Sequence, residues 1–81
     1  MPTTALVALN VDVGYEDKVY NELLKMDEVK EIYMVYGVYD IIAVVETENL
    51  DMLRDIIVNK VRRMEGIKNT LTMIVVKRQV K

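Results

Sequence analysis

The sequence predicts an α+β domain of order βαββαβ, with a four-stranded antiparallel sheet carrying both helices on one face. Three observations lead there. The chain has only 81 residues, 52% of them hydrophobic and 30% charged, which suits one small globular domain. Shifted by 38 positions (5 onto 43), it aligns with itself. Each half carries alternately strand-like and helix-like apolar spacing.

In the repeat, Ala5, Leu6 and Val7 fall on Ala43, Val44 and Val45, Val19 on Ile57, and Leu23 on Val61. Met26, Val29, Lys30 and Met34 fall on Met64, Ile67, Lys68 and Thr72. Two copies make a doubled motif inside one domain, spanning 1–81, and not a solenoid.

The first strand is expected from about Thr4 to Val11, a run dense in apolar and β-branched residues. Val13-Gly14 punctuates it, and Glu16 and Asp17 suit the positive end of a helix dipole. Tyr15, Val19, Leu23 and Met26 then recur at helical spacing. A second strand is expected over 29–36, a turn at Gly37, and a third strand over 39–46. Thr47 or Asn49 can N-cap the second helix, whose seam is Leu50, Leu53, Ile57, Val61 and Met64. Gly66 is placed to stop that helix in a left-handed cap, before a last strand over 67–76. Crossovers long enough to hold helices give the ferredoxin-like arrangement, with the first and third strands central.

An antiparallel sheet with one wet face should alternate apolar and polar residues. Ala5-Leu6-Val7-Ala8-Leu9 and Ile41-Ile42-Ala43-Val44-Val45 do not. Both faces are therefore apolar at the centre, and two short helices cover one of them. A bare apolar face of that extent exceeds what soluble monomers usually show. Sheet-to-sheet self-association is the expectation, with Val7, Leu9, Ile42 and Val44 as interface candidates.

Composition narrows the chemistry. With no cysteine and no histidine, thiolate nucleophiles, Ser-His-Asp relays and soft metal sites are excluded. No cofactor is expected and no catalytic residue is assigned. Met1-Pro2-Thr3-Thr4 lacks the basic n-region of a signal peptide, and no apolar run reaches membrane-spanning length. A cytoplasmic location without membrane contact is the expectation. A net charge of −2 offers nucleic acid no general attraction, and Lys77, Arg78 and Lys81 read as a solubilising tail.

Three segments stand out together: the hairpin Tyr36-Gly37-Val38-Tyr39-Asp40, the second-helix seam, and the stretch from Met64 to Val75. The combination resembles the RAM domain, the ligand-sensing half of the Lrp/AsnC (feast/famine) transcription regulators. Gly37, Tyr39 and Asp40 match that family's Gly-x-Tyr-Asp hairpin. Gly66, Ile67, Thr70 and Thr72 match its Gly-Val-x-x-Thr-x-Thr strand. The resemblance runs from about Ala5 to Val76, and the chain looks like a stand-alone RAM protein without the family's helix-turn-helix domain. One departure is Tyr36, where full-length members often carry threonine.

The resemblance implies sheet-to-sheet dimers, often joined in rings, with amino-acid-type effectors bound where subunits meet. It also implies a transcription-associated role, through mixed oligomers with a full-length Lrp-type regulator and without direct DNA binding. In such a site Asp40 would take an ammonium group, and amides near Gly37 would take a carboxylate. Tyr36 and Tyr39 would supply walls, and Thr70 and Thr72 hydroxyls. Plainer roles stand beside these: Gly37 serves a tight turn, Asp40 bonds turn amides, and the two threonines are β-formers. An ACT-type amino-acid-binding domain and a dimeric α+β barrel enzyme share the fold and remain as alternatives. The aliphatic strand interiors, with no acid–base pair, weigh against the enzyme.

Overall fold

The structure, a computed structural model, describes residues 2–81. Strands β1 (Thr3–Val11), β2 (Val29–Met34), β3 (Ile41–Thr47) and β4 (Ile67–Ile74) form one antiparallel sheet of order β2-β3-β1-β4. Helices α1 (Glu16–Leu24) and α2 (Leu50–Ile56) supply the crossovers. β2 and β3 are shorter at the hairpin than expected, because residues 35–40 leave the ladder.

Register settles the two faces of the sheet. Ala5 pairs with Val45, Val7 with Ala43 and Leu9 with Ile41, and all six are buried with Val19 and Leu23 of α1 and Leu53 and Ile56 of α2. Val7 and Leu9 therefore do not belong to the interface set: at 1% and 0% exposure they already lie in the core under the helices. Side chains alternate along a strand, so Val7 and Leu9 cannot share a face with Ile42 and Val44. The sequence could not set this phase, since every position from 5 to 9 is apolar.

α2 begins as expected, with the Asn49 side chain accepting from the Met52 N–H at 2.8 Å. Thr47 instead donates its hydroxyl to the Asn49 carbonyl at 2.7 Å, shaping the approach to the cap. Past Ile56 the helix widens into a π-helical turn, Ile57–Val61, closed by the Arg62 N–H on the Ile57 carbonyl at 2.9 Å. Leu53, Ile57 and Val61 are each four apart, and an α-helix of 3.6 residues per turn would rotate that series off the core. The wider turn keeps all three buried.

Gly66 lies beyond the helix end and does not cap it. It has φ +96°, and its carbonyl accepts the Asp12 N–H at 2.7 Å, joining the loop after β1 to the loop before β4. A Cβ there would overlap the Tyr15 side chain. Gly37, by contrast, has no positive φ, and a Cβ on it would meet nothing within 4 Å. Tyr15, Tyr20, Met26 and Met64 pack on the core's margin, the two methionines at matching places in the repeat. No helix among the described residues is long and apolar enough to cross a membrane.

The two glycines should thus behave differently. Gly66→Ala is expected to cost about 2–4 kcal/mol in urea unfolding, combining left-handed strain with the overlap. Gly37→Ala should stay within about 0.5 kcal/mol. Equal losses at the two positions would contradict this account of the Gly66 contact.

Candidate functional site

Three features on the sheet answer to the expected site: the 35–40 hairpin, the groove between β4 and α2, and the helix-free face. The hairpin is anchored through Asp40. Its N–H donates to the Leu9 carbonyl and its carbonyl accepts from the Val35 N–H, both at 2.9 Å. Its Oδ2 accepts from the Val11 N–H at 2.8 Å, where β1 runs past the end of β3. The Asn10 side-chain amide donates to the Val38 carbonyl at 2.7 Å. The hairpin's base is rigid while its tip stands in solvent, with Tyr36 fully exposed and Val38 at 85%. Gly37 is exposed at the tip and Tyr39 half-buried beside Asp40.

The structural reading of Asp40 thus has a geometric basis, through a strand amide and not a turn amide. It leaves room for a second role. Among the described residues no donor engages Oδ1.

Thr70 and Thr72 lie elsewhere. They pair with Leu9 and Val7 on the helix side of β4, half-buried, with β1 between them and β3. Two strand spacings of about 4.8 Å separate the β4 and β3 positions, so one chain does not bring the threonines onto Asp40. They line two adjoining hollows that sequence reasoning missed. One, about 480 Å3, is bounded by Ile57, Arg62, Lys68, Asn69, Thr70 and Thr72. Its neighbour, about 190 Å3, is walled by Leu50, Leu53, Ile57, Val58 and Ile74, with Arg54 and Thr72 at its border. Ile57 and Thr72 belong to both. Cation and hydroxyl donors at one end and aliphatic walls at the other make the groove amphipathic. The sequence shows Lys68, Thr70 and Thr72 at alternate positions of one strand, but periodicity gives no sign that Arg62 joins them.

The helix-free face is an apolar band between polar rims. Register places Met73, Leu6, Val44 and Glu31 in one row across the four strands, and Leu71, Ala8, Ile42 and Tyr33 in the next. Thr4 and Glu46 border the band at one end, Asn10 and Asn69 at the other. Tyr33, Leu71 and Met73 are 42–50% exposed. Tyr33 donates its hydroxyl to Glu31, and that hydrogen bond to a carboxylate holds the phenol's pKa above its ordinary value. Of the four interface candidates, Ile42 and Val44 lie on this face.

Comparison with known proteins fits this geometry. Residues 4–81 match the model of the Lrp/AsnC ligand binding domain. The HTH-type transcriptional regulator FL11 of Pyrococcus furiosus is 33% identical over 73 residues, covering 90% of this chain and 48% of the regulator. The chain spans about half the length of that relative. The crystal structure of FFRP-DM1 superposes with a TM-score of 0.89 at 44% identity, covering 91% of this chain and 99% of that one. A homocitrate synthase of Sulfolobus acidocaldarius is 31% identical over 75 residues, covering 91% of this chain but 16% of the enzyme. With nearly its whole length matched, the chain belongs to the Lrp/AsnC ligand-binding domain family: a sensing module of the kind found in transcription regulators.

Two substitutions separate the roles of Asp40. Asp40→Ala leaves the half-buried Val11 N–H without its acceptor and should cost about 1–3 kcal/mol in urea unfolding. Asp40→Asn keeps an acceptor oxygen and should cost under about 1 kcal/mol. An unchanged midpoint for Asp40→Ala would show that the Val11 contact contributes nothing.

Proposed function

We propose that this chain binds an amino acid or similar zwitterion where copies meet, and that it acts as an effector-sensing, self-associating regulator without catalysis of its own. The observation that carries the reading is the amphipathic groove beside β4. Arg62, Lys68 and the hydroxyls of Thr70 and Thr72 offer a carboxylate the several donors it needs. The aliphatic walls from Leu50 to Val58, with Ile74, offer the side chain an apolar seat.

An ammonium group needs an anion, and neither hollow is lined by a carboxylate. Asp40 has a free oxygen but sits two strands away, so it completes the site when the hairpin of one copy approaches the groove of another. Tyr36, Gly37 and Tyr39 would then close over the ligand from the neighbouring copy. The exposed, unstrained Gly37 suits that use, since a missing Cβ permits close approach from outside. Copies would pair first through the apolar band, with Ile42 and Val44 at its centre, and dimers would then meet hairpin to groove.

The partner that reads the bound state is a full-length Lrp-type regulator, reached by mixed oligomers through the same band. The likeness to part of a homocitrate synthase supports a second reading, in which the module reports effector level to a biosynthetic enzyme. Co-purification after co-expression with each separates the two. A cytoplasmic location accompanies either.

Calorimetry across the twenty amino acids tests the site. At least one is expected to bind the wild type at millimolar concentration or below. Asp40→Asn and Thr72→Val should each weaken that binding about ten- to a hundred-fold, the loss of one charge-assisted contact. Binding unaffected by both would place the site elsewhere, and no binding by any amino acid would leave an assembly module alone.

A further inference from the structure

The two walls of the groove between β4 and α2 change polarity in step. Lys68, Thr70, Thr72 and Ile74 stand at alternate positions of β4 and so share its helix side. Facing them, the helix runs from Leu50 and Leu53 past Ile57 and Val58 to Arg62. Both walls are therefore aliphatic at one end and cationic at the other, and two hydroxyls lie between. Residues two apart on a strand are about 6.7 Å apart, so the step from Thr72 to Ile74 suits an acid with a short branched tail. The hollow of about 190 Å3 is the seat for that tail.

The charges along the groove are all of one sign. Neither hollow is lined by a carboxylate. Arg54, at the aliphatic border, is paired with Asp51 at 3.9 Å. Among the described residues Arg62 and Lys68 belong to no ion pair. The hydroxyls of Thr70 and Thr72 make no hydrogen bond among those residues either. Within one chain the cationic end is thus a set of donors without acceptors. Beside a bound carboxylate, such an end attracts a second acceptor and repels an ammonium group. An ammonium placed there would exchange its water for two like charges, which is unfavourable.

We propose that the groove of a single copy is a site for 2-oxo acids with a branched aliphatic tail. The carboxylate and the adjacent oxo oxygen are both acceptors, and Arg62, Lys68 and the two hydroxyls meet them as donors. The planar fork of a guanidinium can take two such neighbouring oxygens together. The ligand carries one negative charge and no ammonium, so it needs no Asp40 from a neighbouring copy. The inference rests on the groove being the ligand site proposed above, and adds a second class of ligand to it. The two classes act in opposite senses. An amino acid joins groove to hairpin, whereas an oxo acid fills the groove of one copy and bridges nothing. Transamination exchanges the amine for the oxo group and keeps the carboxylate and the tail, so the groove reads the balance of that class of reaction.

Titration calorimetry on the full chain tests it with 4-methyl-2-oxopentanoate, leucine and 4-methylpentanoate, which share one branched tail. The oxo acid is expected to bind once per chain at millimolar concentration or below, with a dissociation constant that does not change with protein concentration. 4-Methylpentanoate, which lacks the oxo oxygen, should bind at least several-fold more weakly. Arg62→Gln and Lys68→Gln, both at exposed positions and checked for folding by circular dichroism, should each weaken the oxo acid about ten-fold. If either variant fails to fold, the ligand comparison and the dilution series on the wild type still decide. An oxo acid that fails to bind while leucine or another amino acid does overturns the inference and leaves the amino-acid reading standing. Equal affinity for 4-methylpentanoate, affinity that rises with protein concentration, or wild-type affinity in both variants overturns it as well. Binding of the oxo acid alone supports it and sinks the amino-acid reading. If nothing binds, the groove is no ligand site and both readings fall.

Discussion

Everything in this molecule follows from the position of β1. It is a central strand, apolar at every residue from Ala5 to Leu9, and so it presents oil to both faces of the sheet. Two helices close one face with Val19, Leu23, Leu53, Ile56, Ile57 and Val61. The other face keeps two apolar rows, with Tyr33, Leu71 and Met73 half exposed around Ala8 and Val44, which neighbours in the same chain already cover. A domain of this size buries roughly 60% of its unfolded surface and has little stability to spare. With no cysteine available to staple it, those rows are its largest remaining source of burial.

The proposed site depends on the same arrangement. Because β1 lies between β3 and β4, it holds the hairpin carboxylate and the threonine hydroxyls apart within one chain. On the proposed function these are two half-sites, which one copy cannot join. The proposal links ligand binding to assembly: a molecule held by the groove of one copy and the hairpin of another would stabilise their contact. Such linkage is reciprocal, so assembly should strengthen binding to the same degree. Asp40 is bonded to the sheet through Oδ2, and among the described residues no donor engages its other oxygen.

Much of this was legible in the sequence, and the remainder was hidden for definite reasons. The repeat fixed element order, and the Asn49 cap and the methionine pair fell where spacing put them. Strand phase was hidden, because an unbroken apolar run carries no alternation. The structure puts Val7 and Leu9 under the helices, and Ile42 and Val44 on the helix-free face. Gly66 was seen as a left-handed glycine, but its reason lies in the approach of Tyr15 from far away in the chain. The groove was invisible because Arg62 and Lys68 meet across a helix end and a strand, and periodicity reports only one element at a time. The hairpin motif gives no sign that Asp40 anchors β1 through the Val11 N–H.

The most direct test of the account is the association state by light scattering at micromolar concentration, for the wild type and for Val44→Lys and Val7→Lys. The open face requires the wild type to be a dimer or larger, and Val44→Lys to be a folded chain of lower order. Val7→Lys, with its charge placed in the core, should instead lose the fold. A monomeric wild type, or a Val44→Lys variant that assembles as the wild type does, would contradict the central claim that the helix-free face is where copies meet.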